Sequence, residues 1–142
     1  MSLHIVCPHC HITNRVPKNR LSASPQCGAC HEPLFTAHPV ELTSNTFNQH
    51  ISHSHIPVLA DFWAPWCGPC KVMIPAFAKA AAVLEPQVRL IKINTENEQT
   101  LATRFNIRSI PTLILFNAGQ EIARQAGAMS KEDIVRWAQE QS

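Results

Sequence analysis

Six cysteines stand in three Cys-x-x-Cys pairs: Cys7 and Cys10 in "CPHC", Cys27 and Cys30 in "CGAC", Cys67 and Cys70 in "CGPC". Two thiols at that spacing can join in a disulfide or share one metal ion, and the surroundings decide which. The first two pairs enclose 16 residues, which suits a four-thiolate zinc site. Each pair forms a tight knuckle, and two knuckles from opposite ends of a loop close a tetrahedral shell. With all four positions filled by protein no water can bind, so such a zinc is structural. Cys7, Cys10, Cys27 and Cys30 are the expected ligands of one ion, with His9, His11 and His31 as spare donors nearby.

The third pair has other neighbours. "IPVLADFWA" before it is an apolar run rich in strand formers. "CGPCKVMIPAFAKAAAVL" carries Val72, Met73, Phe77, Ala80, Ala81 and Leu84 at helical spacing, with Pro75 expected to kink the helix. Cys67 and Cys70 therefore open a helix that follows a buried strand. The free N–H groups and positive dipole end there stabilise a thiolate, so Cys67 is expected to attack a disulfide. Cys70, one turn deeper, then resolves the mixed disulfide, while Gly68 and Pro69 shape the tight entry. Cys7 lies too near the start for a preceding sheet strand, and Pro17 and Pro25 interrupt the segment after it, so the first pair lacks this setting.

The elements that must position these residues follow the order βαβαβαββα after residue 39, which predicts a central mixed sheet flanked by helices. The segments are a strand in "AHPVELT", a helix through "TFNQHIS" capped by Ser44 or Asn45, and the strand and helix around Cys67. "VRLIKIN", "ENEQTLATRF", "TLILFN", an "AGQ" turn, "EIARQAG" and "KEDIVRWAQE" complete the set, the last helix started by Ser130 with Asp133. Trp63 and Phe77 read as core packing. His50, His53 and His55 could form a metal site, but at a polar helix end they read rather as a solvated face.

The chain has 142 residues, 45% hydrophobic and 15% charged, which fits a soluble globular protein. Its halves are unequal. Residues 1–38 hold one aromatic, Phe35, too little for a core unless the piece is stapled, so residues 1–38 form the metal module and 39–142 the main domain. Arg15, Lys18 and Arg20 against Glu32 give that module a net charge of +2, and these cations look like partners for the thiolate cluster. The excess is too small for a nucleic-acid footprint. No signal-like start and no apolar run near the roughly 20 residues of a bilayer span is visible, so a cytoplasmic protein without membrane contact is expected. In that reducing compartment cysteines serve metal binding or redox catalysis.

"DFWAPWCGPCK", the Ile-Pro-Thr of "RSIPTLILF" and the "NAGQ…GA" hairpin resemble the thioredoxin family in order and spacing, from about residue 40 onward. The resemblance implies a monomeric protein-disulfide reductase without organic cofactor, recycled by thioredoxin reductase. It also implies roles. Asp61 is the buried acid that exchanges the proton of Cys70, with a carboxyl raised by burial. Lys92 is the lysine beside it, and Pro111 is the cis-proline beside the disulfide. Trp66, Ile110, Gly127 and Ala128, with Gly68 and Pro69, form the surface that holds the substrate. A four-cysteine module ahead of such a domain resembles the bacterial thioredoxins that carry an N-terminal zinc module. A competing role is a zinc-dependent redox sensor or adapter that uses the main domain only to bind partners.

Overall fold

The chain opens on a hairpin, β1 (Ser2–Val6) antiparallel to β2 (Thr13–Pro17). The computed structural model describes all 142 residues. A strand thus does precede Cys7, against the expectation that none would fit. It is a short hairpin strand, and a turn rather than a helix follows it at Cys7, so the first pair gains no helix dipole. Ile5, Cys7, Val16, Cys27 and Leu34 form the small core of this module, and Ile56 from the main domain completes it.

The second sheet has five strands, β3 (Val40–Leu42), β4 (Val58–Trp63), β5 (Arg89–Asn94), β6 (Thr112–Asn117) and β7 (Gln120–Ala126), in the order β3-β5-β4-β6-β7. β5 runs parallel to both β3 and β4, and β6 runs antiparallel to β4 and β7. The sheet is mixed, as the element order predicts. Between the strands lie α1 (Ser44–His53), α2 (Gly68–Leu84) and α3 (Gln99–Arg104), and α4 (Lys131–Gln141) ends the chain. None of these helices is long and apolar enough to cross a membrane.

Alternation along β4 divides the core in two. Leu59, with Leu90, Leu113 and Leu115, packs against Met73, Phe77, Ala80 and Ala81 of α2 and Ile134 of α4. Val58, Ala60 and Phe62, with Ile91, Ile93, Ile114 and Phe116, pack against Phe47 and Ile51 of α1 and Leu101 of α3. Strands buried on both faces read as continuous apolar runs, which is why "VLADFW" and "TLILF" are so legible. Burying each of these large side chains contributes about 1.5–3 kcal/mol.

Val72 departs from the expected stripe: it is 74% exposed, because its neighbour Met73 takes the inward direction and adjacent helical residues point about 100° apart. α2 runs unbroken through Pro75. The cap of α1 also differs from expectation. Thr43 precedes the helix, its N–H donating to Thr46 Oγ1 at 3.2 Å, while Ser44 lies in the first turn. The Ser44 N–H and hydroxyl both donate to Glu98 Oε1, at 2.8 and 2.7 Å, so a distant carboxylate supplies the negative charge at this helix start. Ser130 caps α4 as predicted, accepting from the Asp133 N–H at 3.1 Å. Ala118 and Gly119, with φ of 51° and 81°, make the two-residue turn between β6 and β7, a left-handed pair that glycine eases.

Candidate active site and metal centre

Cys67 stands at the N-cap of α2 and Cys70 in its first turn, joined as a disulfide with Cα atoms 5.2 Å apart. The Cys70 N–H donates to Cys67 Sγ at 3.2 Å, so an unpaired helix N–H is aimed at the sulfur that sits at the positive end of the dipole. Cys67 is 6% exposed and Cys70 wholly buried, which leaves one sulfur within reach of an incoming disulfide. The Cys67 sulfur also lies 3.7 Å from the Ile110 carbonyl oxygen. Ile110–Pro111 is a cis peptide bond, and the Pro111 carbonyl accepts from the Gly127 N–H at 2.9 Å. Gly127, at φ 98°, adopts a backbone that favours glycine.

Around this disulfide Gly68, Pro69, Gly127 and Ala128 are exposed and Ile110 is half-buried, while the Trp66 indole is 67% exposed. Ile110 and Trp63 pack against the small cluster of Ala64, Cys67 and Cys70. The expected site residues from the CGPC motif, the cis-proline segment and the loop after β7 thus meet at one end of the sheet.

Asp61 is fully buried, and neither carboxylate oxygen has a hydrogen-bond partner. It lies on the α2 face of β4, on the same side of the strand as Leu59. Burial pushes its carboxyl up to about 7, with Lys92 pulling it down and Glu41 pushing it up. Lys92 is its register partner on β5. The Lys92 ammonium sits 4.2 Å from the centre of the Trp63 ring, and the Trp63 indole N–H donates to Glu41 Oε2 at 3.2 Å. Trp63 is therefore half-buried and polar-anchored rather than simple core packing.

At the other end of the sheet the four remaining thiols converge, all Sγ atoms within 4.8 Å of one another. Cys7–Cys30 and Cys10–Cys27 are each 3.6 Å apart. A tetrahedral shell with Zn–S of about 2.3 Å has sulfur–sulfur edges of about 3.8 Å, so the donor set fits a zinc ion. The two knuckles repeat each other. The His11 N–H donates to the Cys7 carbonyl at 3.0 Å and the His31 N–H to the Cys27 carbonyl at 2.9 Å, both histidines being left-handed. The His9 N–H points at Cys7 Sγ at 3.3 Å and the Ala29 N–H at Cys27 Sγ at 3.4 Å, which favours thiolates. Asn14 reinforces this: its Nδ2 donates to Cys27 Sγ at 3.4 Å and its Oδ1 accepts from the Gly28 N–H at 2.9 Å. Hydrogen bonds from the Cys30 N–H and from Asn14 hold the Cys27 thiol down at about 5. Arg15, Lys18 and Arg20, expected beside the thiolates, are exposed instead.

Comparison with known proteins agrees with both sites. The family model described as thioredoxin matches residues 38–140. The chain belongs to the thioredoxin family. A second family model, described as the N-terminal part of thioredoxin 2, matches residues 6–32, the four-cysteine segment. Among similar proteins, thioredoxin C-3 of Corynebacterium nephridii is 46% identical over 137 residues, covering 96% of this chain and 94% of its own. Thioredoxin 1 of Nostoc sp. is 42% identical over 91 residues, 64% of this chain and 85% of its own. The thioredoxin of Haemophilus influenzae is 41% identical over 91 residues, with the same two coverages. The Cys67–Cys70 pair is accordingly the redox-active dithiol of a thioredoxin, preceded by a zinc-ribbon module.

The contacts that seat this module on the thioredoxin domain are what the sequence hid. Arg89, the first residue of β5, is buried and donates to the Val6 carbonyl at 3.2 Å and the Leu34 carbonyl at 2.7 Å. Its other nitrogen pairs with Glu85 at 2.9 Å, both side chains 3% exposed, and the Phe35 ring lies 4.8 Å from its guanidinium carbon. Glu85 also accepts from the Ala37 N–H at 2.9 Å. His50 is buried rather than solvated, its Nε2 2.9 Å from His11 Nδ1. Burial, with the charges of Arg89 and His11, pushes His50 down to about 3. His55 is exposed and stacks on His4, ring centroids 4.3 Å apart, while His53 is exposed as expected. No local pattern announces Arg89 or Glu85, since their partners are backbone carbonyls and an N–H far away in the chain.

Proposed function

We propose that this thioredoxin reduces protein disulfides in the cytoplasm, with Cys67 as nucleophile and Cys70 as resolving thiol. The carrying observation is the Cys67 sulfur at the N-cap of α2, 6% exposed where Cys70 is wholly buried, in a domain that also holds a buried Asp61 carboxyl without a hydrogen bond. In the reduced protein the Cys67 thiolate attacks one sulfur of a substrate disulfide. A Cys67–substrate disulfide forms, and the other substrate sulfur leaves as a thiolate. Asp61 then accepts the proton of Cys70, whose sulfur attacks Cys67 and expels the second substrate thiolate. The substrate gains two electrons, and the Cys67–Cys70 disulfide seen in the structure is the oxidised product. A flavin-containing, NADPH-dependent thioredoxin reductase returns those two electrons.

Lys92 borders Asp61 and favours its ionised form, the form that accepts the proton. Ile110 offers its backbone beside the sulfur, and with Trp66, Gly68, Pro69, Gly127 and Ala128 it makes the shallow surface that an extended substrate segment covers; Pro111 holds that backbone in place. Cys7, Cys10, Cys27 and Cys30 would hold one zinc ion, which stabilises a module too small to hold itself.

Reduction of insulin disulfides, with zinc content measured alongside, tests this reading. Cys67→Ser should abolish turnover and keep the metal, whereas Cys27→Ser should lose metal and keep substantial turnover. Retained activity in Cys67→Ser would sink it, and loss of activity in step with zinc in Cys27→Ser would favour the sensor reading.

A further inference from the structure

Three strands carry one charged residue each at the same level of the sheet. Glu41 on β3 is the register partner of Lys92 on β5, and Lys92 is the register partner of Asp61 on β4. Paired positions on neighbouring strands share a face, so a carboxylate, an ammonium and a carboxyl form a row across the α2 face. Trp63, two residues beyond Asp61, lies on that face as well and closes the row from above. Its indole N–H reaches over β5 to Glu41 Oε2 at 3.2 Å, and its ring covers the Lys92 ammonium at 4.2 Å.

Glu41 is thus the far post of the arrangement. Without it, Trp63 loses the only hydrogen bond its indole makes, and Lys92 faces one carboxylate instead of two. We propose that Glu41 is a positioning residue for the proton step: through Trp63 and Lys92 it governs how readily Asp61 accepts and returns the proton of Cys70. The inference rests on the disulfide-reductase reading above.

The direction follows from elementary electrostatics. Two strand spacings separate Glu41 from Asp61 by about 10 Å, where a unit charge acts weakly but measurably through protein and water. Negative charge at Glu41 raises the proton affinity of Asp61, and by competing for Lys92 it weakens the pull in the other direction. The charged groups bordering Asp61 are Lys92 from β5 and Glu41 from β3; β6 presents Leu113 as register partner, and the charged residues of α2, Lys71 and Lys79, are exposed. Burial pushes the Glu41 carboxyl up, against the Trp63 N–H, Lys92 and the Asn94 N–H, which favour its charge, while Glu98 repels it.

Carbon-detected titration of the Asp61 carboxyl, in the full-length oxidised protein, measures the coupling directly. Glu41→Gln keeps an acceptor for Trp63 and removes the charge, so the Asp61 midpoint should fall by about half a unit, and by less in 1 M salt where screening is strong. Glu41→Ala should lower it too and should also shift the Trp63 indole N–H resonance, which Glu41→Gln leaves near its original place. In insulin reduction, the acidic limb of the rate–pH profile for resolving the Cys67 mixed disulfide should move down by the same half unit. A merely structural role for Glu41 would lower rates at every pH alike, and that result overturns the proposal, as does an Asp61 midpoint unmoved in both variants. An unmutated protein that fails to reduce insulin overturns the reductase reading itself, and the role in its proton step with it. An active parent with unmoved variants overturns only the role of Glu41.

Discussion

Asp61 and Lys92 are register partners on adjacent parallel strands, yet no hydrogen bond reaches either carboxylate oxygen of Asp61. The lysine turns its ammonium to the face of Trp63 instead. A buried acid left without a donor keeps its proton to unusually high pH, because the ionised form is poorly solvated.

Asp61 therefore works against stability. Unfolded, it ionises near the ordinary aspartate value of about 3.9; folded, it stays protonated up to about 7. The folded chain binds the extra proton between those values, so the contribution of Asp61 to stability is most favourable below about 4, falls as pH rises toward 7, and levels off above. Asp61→Asn should remove this dependence and stabilise the oxidised protein at pH 8 by on the order of 4 kcal/mol. Denaturant unfolding of both proteins at pH 4 and pH 8 checks it, the gain being absent at pH 4.

Arg89→Met should destabilise the protein by about 3–5 kcal/mol, since it strands Glu85 and two buried carbonyls without a partner. Adding Glu85→Gln should recover part of that loss. Hydrogen exchange in β1 should accelerate more than in β6, because Arg89 bonds directly to the Val6 carbonyl at the end of β1.

Asn14→Ala should weaken zinc binding about 10- to 100-fold by removing the amide that orients Cys27. Competition with a chromogenic chelator reads the change, and insulin reduction by the same protein should persist.

Trp66→Ala removes an indole that is 67% exposed and supports no core. Thermal stability should stay within about 0.5 kcal/mol of the parent, while KM for insulin rises about fivefold with little change in kcat. A fall in kcat at unchanged KM would assign the indole to the chemistry rather than to substrate docking.

What the sequence disclosed was whatever has a local cause. The strand of Asp61, the helix behind Cys67 and the Ser130 cap follow from apolar runs, helical spacing and one side chain reaching its own backbone neighbours. The four-thiolate cluster follows from spacing alone. Long-range contacts left no such mark: Glu98 completes α1 from 54 residues away, and His50 is buried where His11 of the module lies against it. Val72 misled because an apolar residue beside another on a helix cannot share its direction. β1 was hidden by its partner, since Val16 is the single buried residue of β2.

The module is seated at the starts of β4 and β5, through Ile56 and Arg89, whereas Cys67 follows the far end of β4. Six residues of strand put about 20 Å of packed core between the two sets of sulfur. Within one molecule the four thiols of the module can neither hand electrons to the dithiol nor intercept its mixed disulfides. Any disulfide that joins Cys67 to Cys7, Cys10, Cys27 or Cys30 must therefore link two separate chains, and its appearance should scale with protein concentration.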